Sequence, residues 1–210
     1  MIKLAYCNVE ELDLTKTYNL LPQNRKKKVN RFRFIKDKKL SCGVYLLLRK
    51  MLDEENISNP IFKTEKFGKT YISNYEDIHF NLSHSGKMVA CGISDKPIGV
   101  DVEYNDSAID LDIAKNYFFN TEYDSIMNSD DSPNEFFNYW VLKESYMKYT
   151  GLGFQLDLNS FEIVIEKEIT LKNDRNNLKF NLFNVDDYKL ATCSKYNVNE
   201  IFEYFPDEII

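Results

Sequence analysis

Residues 79–104 read HFNLSHSGKMVACGISDKPIGVDVEY, and this stretch contains the signals for three consecutive β-strands. Apolar and β-branched side chains are concentrated in three short segments, which is typical of buried strands. The segments are His79–Leu82, Met88–Ile93 and Ile98–Glu103. Turn residues separate them at Ser85-Gly86 and Asp95-Lys96-Pro97. Because connections this short favour antiparallel pairing, we predict an antiparallel sheet at the centre of the chain.

Helices and further strands are predicted on both sides of this sheet. Residues 2–8 are typical of a strand, Pro22 suits the first turn of a helix, and residues 34–55 carry a helical apolar stripe. The second half predicts helices around residues 109–116 and 133–149, then strands at 161–169, 178–184 and 189–193. We find no internal repeat, although the second half follows the order of the first loosely. Runs of helix and runs of strand predict an α+β fold. We expect lobes at 1–103 and 104–210, with a hinge at 101–105.

Composition limits the classes of protein to which the chain can belong. It has 210 residues, of which 43% are hydrophobic, enough for a substantial core. The opening residues do not resemble a signal peptide, and the chain has no apolar run long enough to cross a bilayer. The four cysteines have no paired spacing. We therefore expect a cytoplasmic protein with reduced thiols and no membrane association.

A basic segment stands out in a chain whose net charge is −6. Residues 25–39 contain nine basic side chains and one acidic side chain. Such a patch on an acidic protein suits a compact polyanion, whereas a nucleic-acid binder is usually basic over a whole face. We therefore expect no nucleic-acid partner. From charge alone, a solvated helix face explains the segment equally well.

Two carboxylates are predicted to share one face of the third strand. In residues 97–104, PIGVDVEY, apolar and acidic residues alternate, so Asp101 and Glu103 point to the same side. Their charges repel each other unless a cation lies between them, and Mg²⁺ favours oxygen ligands. The alternative is an ordinary strand with a solvated acidic face.

The helix predicted over residues 133–149 supplies a third carboxylate and a cation. Glu144 and Lys148 lie one turn apart on one helix face. The same spacing is typical of a surface salt bridge, so the helix alone leaves both interpretations open.

A polar turn is predicted at residues 83–86, Ser-His-Ser-Gly, where hydroxyls, an imidazole and amides could bind a phosphate. A nucleophilic Ser83–His84 pair is a poorer interpretation, because adjacent residues of an extended chain point to opposite sides. A turn that is merely capped by these side chains stays open.

The segments FNLSHS (80–85), IGVDVE (98–103) and WVLKESYMK (140–148) together resemble the signature of the 4′-phosphopantetheinyl transferases. Phe67-Gly68-Lys69, the segment 118–122 and the chain length resemble the larger type, which activates peptide and polyketide synthetases. The resemblance implies two similar α+β lobes related by a pseudo-twofold axis, each an antiparallel sheet packed with helices. It also implies that coenzyme A lies in the cleft between them, and that the protein is a monomer, unlike the smaller trimeric holo-acyl-carrier synthases.

The resemblance also implies roles for individual residues. The catalytic residues would be Glu144 and Lys148, and Lys148 would approach the pyrophosphate. The Mg²⁺ ligands would be Asp101, Glu103 and Glu144. The coenzyme A contacts would be Arg25, Lys28 and Ser41 at the 3′-phosphate, Lys69 beside the adenine, Ser83 and His84 at phosphates, and Asp101. The carrier protein would dock on Leu152 and Phe154, although apolar side chains after a helix also commonly pack in the core.

The chain departs from the family pattern at two places. Gly68-Lys69-Thr70 stands where the family commonly has Gly-Lys-Pro, which affects the turn that carries Lys69. Arg25 occupies a position often held by Lys, and only Arg offers a planar fork to a phosphate. Glu122 has no assigned role and is carried as a supporting residue.

These observations predict Mg²⁺-dependent transfer of phosphopantetheine from coenzyme A to a serine of an apo carrier protein. Glu144, directly or through a metal-bound water, would accept the serine proton. One alternative is a metal-dependent phosphodiesterase or nucleotide hydrolase with the same carboxylates. A second alternative is a non-catalytic module that binds carrier proteins or coenzyme A. The physiological carrier, the tolerance for acyl-coenzyme A and the choice between Mg²⁺ and Mn²⁺ stay open.

Overall fold

The computed structural model describes residues 2–210, in which one arrangement of elements occurs twice along the chain. The first copy contains β1 (Ile2–Asn8), α1 (Leu14–Leu20), α2 (Gln23–Val29), α3 (Ile35–Glu54), β2 (Phe62–Thr64), β3 (Thr70–Ile72), β4 (His79–Ser85) and β5 (Met88–Ser94). The second contains β6 (Ile98–Tyr104), α4 (Asp112–Tyr117), α5 (Asn120–Met127), α6 (Ser132–Thr150), β7 (Ile163–Ile165), β8 (Ile169–Leu171), β9 (Lys179–Val185) and β10 (Tyr188–Ser194). A last strand, β11 (Ile201–Tyr204), follows.

The two copies are in register at their second halves. The strands β9 and β10 begin and end 100 positions after β4 and β5. Phe80-Asn81-Leu82 recurs as Phe180-Asn181-Leu182, and the Asn side chains accept equivalent main-chain hydrogen bonds, from Val100 (2.8 Å) and Val198 (2.9 Å). The two similar lobes that the family resemblance implies are therefore confirmed, although no repeat was found in the sequence itself. The element order and burial pattern repeat, whereas few residue identities do.

The α+β class is confirmed, with antiparallel sheets packed against helices. The first sheet has the order β11-β1-β5-β4, and the second has the order β6-β10-β9. In each sheet the strand that opens the copy pairs antiparallel with the later strand of its last hairpin, β1 with β5 and β6 with β10. The longest helices, α3 and α6, pack on these sheets. No helix in residues 2–210 combines the length and the apolar character that a membrane crossing requires.

One predicted strand pairing was wrong. The strands β4 and β5 pair antiparallel as predicted, but β6 pairs with β10 of the second sheet instead of β5. The turn at residues 95–97 lets the chain cross to the other sheet, where the apolar side of β6 is fully buried between the sheets. Because residues 101–104 are paired in a strand, they are not a hinge. The lobe boundary at 103/104 stays a prediction, although the second copy of the arrangement begins with β6 at Ile98.

Most longer elements lie where the sequence predicted them, and the shorter ones were missed. The predicted strand over 161–169 is a hairpin of β7 and β8. Elements that were not predicted are α1, α5, β2, β3 and β11, which have three to eight residues each. Segments this short contain too few apolar positions to show a period.

The strand β6 and the helix α6 touch through their main chains. A Cβ added to Gly99 would lie 1.8 Å from the carbonyl oxygen of Ser145, so only glycine allows this approach. The helix starts at the N-cap Asp131 and ends at Gly151, which adopts the left-handed conformation with φ 74°. This close contact sets the distance between β6, which carries Asp101 and Glu103, and α6.

Candidate active site

A cavity of about 300 Å³ lies where β4, β6 and α6 meet. Its lining contains side chains from all three sequence motifs and from the segment after α6. The lining residues are Leu82, Ser83, His84, Asp101, Glu103, Trp140, Glu144, Lys148 and Phe154. Residues that are separated by more than 60 positions in the sequence therefore form one site.

Side chains of β4 join that strand to β6 in place of a main-chain ladder. Asn81 Oδ1 accepts the N–H of Val100 at 2.8 Å, and Ser85 Oγ accepts the N–H of Tyr104 at 3.2 Å. Between them, Ser83 Oγ donates to Asp101 Oδ1 at 2.8 Å. Alternate residues of a strand point to one side, which is why these three side chains all face β6. Residues 83–85 belong to β4, so the prediction that they form a turn was wrong.

Lys148 of α6 binds side chains of β6 and β4. Its Nζ donates to Asp101 Oδ1 at 2.6 Å and to Ser83 Oγ at 2.9 Å. Among the ion pairs of residues 2–210, Lys148 is paired with Asp101 and not with Glu144, so the surface salt-bridge interpretation was wrong. The ammonium lies at the cavity wall, where it can contact an anionic ligand.

Three carboxylates, those of Asp101, Glu103 and Glu144, line the cavity together with Lys148. Asp101 is only 2% exposed, and burial excludes the solvated acidic face for this residue. Within residues 2–210, Asp101 Oδ2 and Glu144 Oε1 are buried without a hydrogen-bond partner. Burial, and then the charge of Asp101, raise the pKa values of Glu103 and Glu144 to about 7. Unpaired oxygens and raised pKa values are expected where a cation completes a site.

The fit to a divalent metal rests on these oxygens. No three His, Cys, Asp or Glu side chains within residues 2–210 already stand in a metal-binding arrangement. Mg²⁺ commonly keeps several waters and uses only one or two protein carboxylates. Two unpaired carboxylate oxygens beside one cavity suit this mode of binding.

A second polar group joins α2, which carries Arg25, to α3, which carries Ser41. The guanidinium of Arg25 donates from Nη2 to the carbonyl of Ser41 at 2.9 Å and lies 4.9 Å from the ring centre of Tyr45. In residues 2–210, Arg25 Nε and the hydroxyl of Ser41 are buried without a partner. Burial lowers the pKa of Arg25, and partial burial together with the Arg25 charge lowers that of Lys28. A donor fork and a free hydroxyl of this kind suit a phosphate.

His84 lines the cavity near the end of β4. Partial desolvation lowers its pKa, followed by the positive charge of Lys148 and a smaller contribution from Lys28. The pKa of the imidazole therefore depends on charges of both the cavity and the basic segment. One elongated anionic ligand could contact both.

Lys69 and Glu122 lie outside the cavity lining. Lys69 binds main-chain carbonyls of β6 and of the end of α6. Its expected place beside the adenine stays a prediction. Glu122 forms an ion pair with Lys143 (Oε1–Nζ 2.8 Å) in which the two side chains are 1% and 0% exposed. Its oxygens also accept the N–H groups of Ile163 and Phe119. Glu122 is therefore a structural residue that binds Lys143 of α6.

Lys143 was missed by the sequence analysis. Its Nζ also donates to the carbonyls of Leu158 (2.9 Å) and Phe161 (2.8 Å), and it lies 4.3 Å from the ring centre of Phe161. The available signal was its position next to Glu144, because consecutive helix residues cannot both face the cavity.

The segment after α6 presents apolar side chains to solvent. Leu152 is 38% exposed and Phe154 is 78% exposed, although Phe154 also lines the cavity. Leu156 packs against the hydrophobic core that contains Leu142 and Phe161. The exposed pair therefore forms an apolar edge beside the site.

Two models of known protein families match most of the chain. A model described as the 4′-phosphopantetheinyl transferase superfamily matches residues 97–193. One described as 4′-phosphopantetheinyl transferase, N-terminal, matches residues 8–95. The chain is 35% identical over 152 residues to 4′-phosphopantetheinyl transferase Sfp of Bacillus subtilis (strain 168), covering 69% of this chain and 66% of that protein.

A second relative is 4′-phosphopantetheinyl transferase gsp of Aneurinibacillus migulanus. It is 36% identical over 173 residues, which cover 78% of this chain and 71% of that protein. A solved structure, Thermotoga maritima holo-[acyl-carrier-protein] synthase (AcpS), is similar over 47% of this chain and 61% of its own, with 16% identity and a TM-score of 0.41.

Proposed function

Because the chain belongs to the 4′-phosphopantetheinyl transferase superfamily, we propose that it transfers phosphopantetheine from coenzyme A to a serine of an apo carrier protein. The observation that carries the proposal is the convergence of Ser83, Asp101, Glu144 and Lys148 on one cavity. In the reaction, the serine oxygen bonds to the β-phosphorus of the coenzyme. The bond from that phosphorus to the bridging oxygen breaks, and adenosine 3′,5′-bisphosphate leaves.

The side chains of the cavity can perform the two tasks that this reaction requires. The Lys148 ammonium has a third N–H besides the two that bind Asp101 and Ser83, and it offers this donor to a phosphate oxygen, where charge develops in the transition state. Glu144 lines the cavity and has an unpaired carboxylate oxygen, which can accept the serine proton. Phosphoryl-type transfer asks little more of a protein than positioning and neutralisation of charge.

A divalent cation fits the acidic side of the cavity. Asp101 and Glu144 hold unpaired oxygens, and Glu103 is the third carboxylate of the proposed set. When bound, Mg²⁺ would neutralise charge on the pyrophosphate. The proposal takes Mg²⁺ as the cation, since carboxylate oxygens are ligands that a hard divalent ion favours.

A pH-dependent stability should reveal the cation site without any assay of activity. The pKa values of Glu103 and Glu144 are raised from 4.5 to about 7, so their contribution to stability is present below pH 4.5 and is lost as pH rises through 7. Without divalent cations, we expect a lower melting temperature at pH 8 than at pH 6. The drop should be smaller in Glu144→Gln.

Magnesium supplies the second half of this measurement. At pH 8, added Mg²⁺ should raise the melting temperature of the wild type by several degrees, because one kcal/mol corresponds to about 2–4 °C in a chain of this size. Glu144→Gln should respond less. An equal response of both proteins would contradict the cation site.

The basic segment should contain a few phosphate-binding residues and a solvated remainder. We expect Arg25→Ala to raise the KM for coenzyme A about tenfold or more, since a charge-assisted hydrogen bond contributes about 1.5–3 kcal/mol. The KM for 3′-dephospho-coenzyme A should change little. Lys36→Ala, at an exposed position of the same segment, is the matched control. Equal losses with both substrates would place Arg25 away from the 3′-phosphate.

The carrier protein is proposed to dock on the apolar edge formed by Leu152 and Phe154. We expect Phe154→Asp to raise the KM for the carrier about tenfold, with the melting temperature unchanged because the side chain is exposed. Phe205→Asp, at an exposed aromatic outside the cavity lining, is the control. A matching loss of coenzyme A affinity would instead make Phe154 part of the coenzyme site.

One experiment separates transfer from the alternatives. The protein is mixed with coenzyme A, Mg²⁺ and apo carrier domains from fatty acid, polyketide and peptide synthesis, and intact mass reports the added phosphopantetheine. Modification of at least one carrier is expected. Release of phosphopantetheine from coenzyme A without a carrier would indicate a hydrolase, and coenzyme binding without either reaction would indicate a binding module.

The proposal extends to the state of the protein in the cell. All four cysteines are buried and free, as expected for a protein of the reducing cytoplasm. The proposal also includes a functional monomer, because Ser83, Asp101, Glu144 and Lys148 of one chain line the same cavity.

A further inference from the structure

Lys69 turns its ammonium towards the main chain of two other elements. Its Nζ donates to the carbonyl oxygens of Lys148 (2.6 Å), Tyr149 (3.1 Å) and Ile98 (3.2 Å). An ammonium has three N–H donors, so these acceptors use all of them. Lys69 is outside the cavity lining, but one of its acceptors is the main chain of Lys148, whose side chain lines the cavity.

The three acceptors belong to the elements that carry the site. Ile98 begins β6, three residues before Asp101, and the other two carbonyls lie in the last turn of α6. Carbonyls at the end of a helix lack intrahelical partners and form its negative pole. The stem of Lys69 also lies against the helix end, because a Cβ added to Gly151 would be 3.4 Å from its Cδ.

We propose that Lys69 is a positioning residue for the transfer reaction, which holds the end of α6 against β6 and so fixes Lys148 beside Asp101. The inference rests on the proposed function for its kinetic part only. It differs from the role beside the adenine that the family resemblance implies. The contact at Gly99 supports this role. Because β6 and α6 touch there through their main chains, any loosening of the end of α6 changes the distance between the two elements.

Loss of the ammonium should affect turnover more than binding. Without Lys69, two helix-end carbonyls and the carbonyl of Ile98 lose their shared donor, and Lys148 can move relative to Asp101. A misplacement of about 1 Å at a reacting group can cost about 100-fold in rate. Arg25, Lys28 and Ser41 lie on α2 and α3, which Lys69 does not contact through these hydrogen bonds.

The test compares Lys69→Met with Lys66→Met, an exposed lysine of the same turn. We expect Lys69→Met to lower kcat about tenfold or more, with the Kd for coenzyme A changed less than about twofold. Amide hydrogen exchange of residues 147–151, measured without substrates, should become faster in Lys69→Met. Lys66→Met should match the wild type in all three measurements.

A chemical rescue checks that the ammonium itself is responsible. Lys69→Cys should show the same loss, and alkylation with 2-bromoethylamine, which restores an amine, should recover kcat. The four native cysteines are buried and should not react under native conditions. The same treatment of the wild type is the control.

Two results would overturn the inference. A rise of about tenfold in the Kd for coenzyme A with unchanged kcat would make Lys69 a coenzyme contact. Unchanged hydrogen exchange in Lys69→Met would show that the helix end does not depend on it. A wild type that modified no carrier would refute the proposed function, whereas the exchange result would still decide the positioning role.

Discussion

Asp101→Asn is expected to lower kcat/KM by about three orders of magnitude, because the carboxylate serves several partners of the proposed reaction. Its Oδ1 accepts hydrogen bonds from Lys148 and Ser83. Within residues 2–210 its Oδ2 has no hydrogen-bond partner, so this oxygen is available to a cation. A neutral amide weakens each of these interactions. Initial rates with coenzyme A and an apo carrier measure the effect.

Two comparisons assign the Asp101 effect to the site. Excess Mg²⁺ should partly rescue Asp101→Asn, whereas Glu144→Gln should recover less, because metal cannot replace a base. Glu168→Gln, an exposed acid-to-amide change, should be silent. Near-normal rates in both Asp101→Asn and Glu144→Gln would contradict the three-carboxylate site.

Lys143→Met is expected to lower the free energy of unfolding by about 3–5 kcal/mol, since it leaves Glu122 as a buried charge without its ion-pair partner. The carbonyls of Leu158 and Phe161 also lose their donor. For a chain of this size the melting temperature should fall by about 10 °C or more. Denaturant unfolding and thermal melting both measure the effect.

A double-mutant cycle separates the ion pair from the packing around it. Glu122→Gln in the Lys143→Met background should restore part of the lost stability, because it removes the unpaired charge. Lys167→Met, at an exposed lysine, should change the melting temperature little. If the two substitutions instead add without coupling, the pair does not act as a unit.

Part of this fold could be predicted from the sequence, and part could not. The elements α3, α6, β4 and β5 have clear periods and lie within a few residues of their predicted bounds. The pairing of β6 with β10 was missed, because it brings together strands that lie far apart along the chain. The repeat was missed for a related reason, since buried strands need apolar side chains and not particular ones.

The candidate site shows the same division. Asp101 and Glu103 share a strand face and Glu144 and Lys148 share a helix face, as local geometry requires. The sequence did not show that Lys148 forms its ion pair with Asp101 and not with Glu144. That pairing depends on the contact of β6 with α6 at Gly99, which no local pattern reveals.

By itself, the sequence determined which side chains of each segment face the same way, and through its motifs it indicated the chemistry of the site. Those properties follow from the periods of strand and helix, which act over a few residues. Only the tertiary structure decided the partners of Lys69, Lys143 and Lys148. Partners of long flexible side chains are selected when distant elements pack together, because buried donors and carbonyls must then satisfy one another across the core.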